Sequence, residues 1–239
     1  ADSGNGGPSN YGSHSWGGLF YGYQQRALIG YRFDANGFFG AISLEDDNLA
    51  GEGYMPDVVA KIGYAGGWGA VWLKVAYDES FAVGAIDGGF AAQLGAQFNM
   101  PNMPGSSLRL IAFYADGDHA YNVGAPGVVC ATGLCGPPTL LGGAEWSILA
   151  SYNQQFSSTL GASIGFQYFN DLYIAGTDLQ WGVNAWAAEA SVVWTPITNF
   201  EVRGELVYTD VGNLDNVPGG LGLDPNGTLS GYLRFTRYF

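Results

Sequence analysis

Charge is what this sequence has least of. Only 12% of its residues are Asp, Glu, Lys or Arg, about half the roughly 25% of an ordinary soluble domain. The scarcity is one-sided: 8 basic residues against 21 acidic ones leave a net charge of −13. That balance excludes a nucleic-acid partner, because phosphate binding needs clustered Lys and Arg. Long apolar runs are missing too, and nothing approaches the roughly 18 consecutive apolar residues of a membrane helix. Only two histidines are present, His14 and His119. Neither stands at a spacing that builds a Ser-His-Asp arrangement or a metal ligand set, so no catalytic residue, metal or cofactor is expected. The two cysteines, Cys130 and Cys135, lie in a Gly- and Pro-rich stretch with His119 as the nearest further ligand. A loop disulfide is the better reading, and it implies an oxidising compartment.

What the chain has instead is 39 Gly, 15 Tyr, 14 Phe and 7 Trp. A disordered Gly-rich chain would lack the aromatics. Reading every second residue gives apolar rows: Ala27-Ile29-Tyr31-Phe33, Val58-Ala60-Ile62-Tyr64, Phe90-Ala92-Leu94-Ala96-Phe98 and Trp146-Ile148-Ala150-Tyr152. The pattern continues as Leu160 to Tyr168, Trp186 to Trp194 and Phe200 to Tyr208. A period of two means strands with one apolar face. Less regular strands fit at 38–45, 69–77, 108–116 and 229–239, making eleven. The companion rows are small or polar, as in Gln93-Gly95-Gln97-Asn99 and Glu201-Arg203-Glu205.

Aromatics close several apolar rows at both ends. Phe90 and Phe98, Trp186 and Trp194, and Phe200 and Tyr208 are eight residues apart. On a tilted strand rising about 3.3 Å per residue, that separation approaches the two aromatic girdles of an outer-membrane barrel about 25 Å tall. A soluble sandwich has no reason to mark both rims. Connectors alternate as well. Short turns near 34–37, 66–67, 157–159 and 196–199, and a longer one at 100–107, alternate with long loops near 46–56, 78–89, 117–143, 169–178 and 210–227. Most acids, from Asp46 and Asp47 to Asp215 and Asp224, fall on the long-loop side. They are either solvated loop residues or an acidic outer mouth. The fold class expected is all-β, a transmembrane antiparallel β-barrel in the outer membrane of a Gram-negative bacterium, with residues 1–239 as a single domain.

The stretches Gly53-Tyr54-Met55-Pro56-Asp57-Val58-Val59, Tyr64-Ala65-Gly66-Gly67-Trp68-Gly69 and Val75-Ala76-Tyr77-Asp78, with the tail Arg234-Phe235-Thr236-Arg237-Tyr238-Phe239, resemble the alphaproteobacterial general porins. The resemblance is specific over 51–79 and the tail, and collinear elsewhere. It implies a sixteen-stranded homotrimeric barrel in a lipid bilayer bounded by lipopolysaccharide. It also implies a constriction loop folded inward and passive diffusion of ions and small hydrophilic solutes. Counting eleven strands back from the terminal Phe239 leaves the first on the wrong side for a barrel with an even strand number. Either the family's first five strands are missing and 1–24 belongs to the constriction loop, or Ser15–Tyr23 is a further strand of a twelve-stranded barrel.

With the apolar rows facing lipid, the other parity carries Arg26, Arg32, Lys61, Lys74, Arg109, Arg203 and Arg234, seven of the eight basic residues, together with Glu201 and Glu205. These are the expected pore-lining residues, either a selectivity ladder or charges placed on the only side that tolerates them. Tyr11, His14 and Trp16 are the expected constriction-loop residues. Arg237 breaks the apolar row near the chain end, where a charge costs little and can snorkel. Some outer-membrane barrels are phospholipases using a rim Ser and His, for which only His119 is on offer. The competing reading from another class is a non-conducting barrel that acts as a surface antigen, adhesin or structural protein through its loops, above all 117–143.

Overall fold

The computed structural model describes residues 12–15, 27–46, 55–79, 88–123, 141–216 and 227–239. Tyr11, Trp16, Arg26, Cys130 and Cys135 lie outside these, as does nearly all of the alternative strand Ser15–Tyr23.

Eleven strands form one antiparallel meander: β1 (Leu28–Ala35), β2 (Phe38–Glu45), β3 (Asp57–Gly66), β4 (Gly69–Asp78), β5 (Gly89–Asn99), β6 (Ser107–Ala115), β7 (Leu141–Gln155), β8 (Leu160–Ile174), β9 (Asn184–Ile197), β10 (Phe200–Gly212) and β11 (Thr228–Arg237). Among the described residues each strand pairs with the next, and β1 and β11 are the two outermost strands of the sheet. A one-turn 3-10 helix, Leu214–Asn216, follows β10, and among the described residues no helix is long and apolar enough to cross a membrane.

Turn chemistry fixes the register at the short-turn end. Asn36 and Gly37 both take positive φ, 54° and 84°, the pair a two-residue type I′ hairpin demands. Consecutive turns are tied to one another. Ala65 N–H donates to the Gly37 carbonyl and Asn99 N–H to that of Trp68, while Tyr238 N–H donates to Asn199 and carries the β10–β11 pairing past the last strand residue.

The sheet is inside-out relative to a soluble domain. Ile62, Leu94, Ile148, Ile164, Leu206, Leu233 and Phe235 are exposed, whereas Glu45, Asp57, Lys61, Lys74, Asp78, Gln167, Glu189 and Glu205 are buried. In water that arrangement forfeits the hydrophobic gain and the hydration of every buried charge. In a bilayer the exposed face meets hydrocarbon and the first of these costs vanishes. Aromatic contacts band the exposed face at two heights. Phe38–Tyr64, Trp68–Phe98 and Phe200–Phe235 lie toward the short turns, and Trp146–Tyr168, Phe166–Trp186 and Trp186–Tyr208 toward the long loops.

The strands β7 to β10 run further toward the long loops than alternation alone predicts. β8 continues to Ile174 and β10 to Gly212, across stretches expected as loop. In β8 the reason is a break in parity. Asp171 has a positive φ of 48°, after which Leu172 and Tyr173 are both buried and a period of two no longer holds. Arg237 does snorkel: its guanidinium leaves the apolar row and donates to the Thr198 carbonyl in the β9–β10 turn, 3.1 Å away.

Candidate functional site: the polar face of the sheet

The polar face has two charged regions built by register. Arg32 opposes Ala41, Ala41 opposes Lys61, Lys61 opposes Lys74, and Lys74 opposes Gln93. One hydrogen-bonded row across β1 to β5 therefore carries three cations and an amide. Lys61 and Lys74 stand directly opposite with their side chains buried, an arrangement that like charges disfavour. The Lys61 ammonium lies over the Phe39 ring at 5.4 Å, a favourable contact for a cation. On β2, β3 and β4 the acids sit at the long-loop end, whereas Asp34 of β1 lies at the short-turn end, two residues from Arg32. Asp57 and Asp78 are each four residues from a lysine of their own strand, about 13 Å away. Arg32, on the edge strand, is exposed.

Arg109 on β6 is half-buried and spends its donors on neutral oxygens. Nε and Nη2 donate to Gln97 Oε1 at 3.1 and 2.6 Å, and Nη1 donates to the carbonyls of Gly12 and Ser13 at 2.9 and 3.0 Å. The segment 12–15 is thereby pinned to the polar face. His14 N–H donates to Ser151 Oγ, and the imidazole bridges Ser151 Oγ and Ser107 Oγ, both at 2.8 Å. Burial, reinforced by the Arg109 guanidinium, pushes His14 down from 6.5 to about 4, so the ring is neutral at physiological pH. A cavity of about 310 Å³ opens beside it, lined by Asn153, Gln155, Ser163 and Thr195 among others.

The second region lies on β9 to β11 and is charge-paired. Arg203 Nε donates to Glu201 at 3.0 Å and its Nη1 to Glu205 at 3.4 Å, while Arg234 Nη2 is 3.8 Å from Glu201. Glu205 is buried and also accepts from Tyr232 Oη at 2.5 Å and Ser191 Oγ at 3.3 Å. Two arginines and two glutamates thus close on one another.

Alternation also held, unremarked, Glu45, Asp57 and Glu189, which share the parity of Lys61 and Arg203 and are buried. His119 stands 3.9 Å from Asp78 and 3.6 Å from Asp116. Burial outweighs the neighbouring carboxylates and holds its pKa below the ordinary value, so at neutral pH these are contacts of an uncharged ring. Among the described residues no group of His, Cys, Asp and Glu could hold a metal.

Comparison with known proteins agrees with this geometry. Residues 2–231 match the family described as Porin subfamily. A stretch of 70 residues is 43% identical to Porin Omp2b of Brucella canis and to that of Brucella suis, covering 24% of this chain and 19% of each relative. The match therefore spans under a quarter of the curated relatives' length. In architecture the chain is similar to the outer membrane channel DcaP of Acinetobacter baumannii, with a TM-score of 0.60 and 14% identity over 95% of this chain and 66% of that one. The inside-out sheet, the aromatic bands and the match along nearly the whole sequence converge: the chain belongs to the Porin subfamily, as a strand-built protein of the Gram-negative outer membrane.

Proposed function

We propose that this protein forms a water-filled passage through which ions and small hydrophilic solutes diffuse down their gradients, without catalysis. The observation that carries the reading is the polar face itself. It buries charged and amide side chains that hydrocarbon would not accept, and a loop segment is hydrogen-bonded across it. On this reading Arg32, Lys61, Lys74, Arg109, Glu201, Arg203, Glu205 and Arg234 line the pore, and His14 belongs to the constriction segment. Lipid does not tolerate an open edge at β1 or β11. The sixteen strands implied by the family resemblance would bridge them with five more, and the pore would assemble as a homotrimer.

The rival reading is a non-conducting barrel that serves as a surface antigen or adhesin. Single-channel recording of the purified protein with its barrel closed, in planar lipid bilayers, separates the two. Ohmic openings that scale with salt concentration are expected, and their absence from protein shown to be folded overturns the channel reading.

A further inference from the structure

The first eight residues of the connection after β6, 116–123, do not rise away from the sheet. They turn inward across the polar face at the long-loop end. Tyr121 Oη lies 2.9 Å from Asp57 and 3.2 Å from Glu45, on β3 and β2, carboxylates that oppose each other in register. From β6 to β3 is three strand spacings, about 14 Å. Ala120 N–H donates to Asp78 on β4 at 3.0 Å. On the other side, Asp118 accepts from Gly143 N–H of β7 at 2.6 Å and from Gly176 N–H of the β8–β9 connection at 2.8 Å, and its own N–H donates to the Thr177 carbonyl. Eight residues, 116–123, are thus fastened to strands from β2 to β7 and to the connection beyond β8, a chord across the curled sheet.

The wall is shaped to receive this chord. A Cβ at Gly142 would collide with Asp118, one at Gly143 with Asn122, and one at Gly89 with the His119 ring. Tyr121 covers the small apolar cluster Val59, Ala76, Ala91 and Ala115. Beneath it, between Tyr121, Val123, Lys74 and Gln93, only about 40 Å³ remains, room for no more than a few waters. Solute passing this level has to go around the segment.

Resting on the channel reading above, we propose that residues 116–123 are a strap that narrows the outer half of the passage and sets its solute-size limit, with Asp118 and Tyr121 as the positioning residues at its two ends. The strap is separate from the 12–15 segment, which lies on Ser107 and Ser151 toward the short turns.

The test compares the full-chain wild type with Tyr121→Phe and with Asp118→Ala/Tyr121→Phe, measuring single-channel conductance and swelling of liposomes in mono-, di- and trisaccharides. Tyr121→Phe loses only a hydroxyl and keeps the ring on its apolar cluster, so it reports even where the double variant does not fold. Loss of a hydrogen bond to charged acceptors should raise the frequency of brief high-conductance openings about tenfold, and the double variant should admit the next larger sugar. A conducting wild type whose size limit and opening frequency are unchanged in Tyr121→Phe overturns the strap alone. A folded wild type that does not conduct overturns the channel reading.

Discussion

The two walls of the sheet solve the problem of inward-facing charge in opposite ways. On β1 to β6, strands of 8 to 11 residues carry a row of basic residues with amides, carbonyls and an aromatic ring among their neighbours, and the acids of β2 to β4 stand at the outer end. On β7 to β10, strands of 13 to 15 residues rise higher, and the charges that β10 shares with β11 stand 3.0 to 3.8 Å from their partners. A compensated cluster fixes geometry and cancels its own distant field, whereas a row in which basic residues predominate projects one. Ion preference should therefore come from the first wall and rigidity from the second, although both carry arginine on the same face.

Removing one member of the paired cluster is the severest way to break that comparison. Arg203→Gln leaves the buried Glu205 without its cation and should lower the unfolding free energy in urea by about 3 kcal/mol. Adding Glu205→Gln removes the orphaned charge and should restore most of the loss. Equal destabilisation by the single and double variants would show that the cluster stabilises through packing and not through charge pairing.

A smaller effect concerns the segment pinned to Arg109. His14 docks as the neutral ring, with its pKa pushed down from 6.5 to about 4. Undocked, it titrates near its ordinary value. The docked state therefore binds fewer protons, and its stability rises with pH across that interval. Docking should be at full strength above about pH 6.5, weaken as pH falls toward 4, and weaken no further below. Arg109 is the charged neighbour that makes protonation worse. Amide hydrogen exchange of residues 12–15 follows this directly, and His14→Gln should flatten the profile. A profile unchanged in that variant would assign the pH response elsewhere.

The parts of this arrangement that local pattern encodes were readable in advance. Eleven strands, the parity that puts Lys61 and Arg203 on one face, and the snorkelling of Arg237 all follow from a period of two that a one-sided apolar environment imposes. The upper part of β8 departs from the pattern because the positive φ at Asp171 resets its parity, and that of β10 because Asp210 and Gly212 follow Tyr208 where a lipid-facing row would continue. The pairing of Arg203 with Glu201 and Glu205 was visible as spacing on one strand. The strap was not, since Tyr121 and Asp57 are 64 positions apart and nothing in either neighbourhood announces the contact. Residues 117–143 were expected as one outward loop, and the inward course of 116–123 departs from that expectation. The disulfide expected at Cys130 and Cys135 lies outside the described residues.

The central claim, that the basic row of the first wall and not the paired cluster governs permeation, is tested most directly by reversal potentials in a KCl gradient across planar bilayers. Lys61→Gln/Lys74→Gln removes two cations from the row, and Arg203→Gln/Glu205→Gln removes one charge of each sign from the cluster. The account predicts a clear shift toward cations for the lysine pair and a reversal potential within error of wild type for the arginine–glutamate pair. The opposite order, or equal shifts from both, would contradict it.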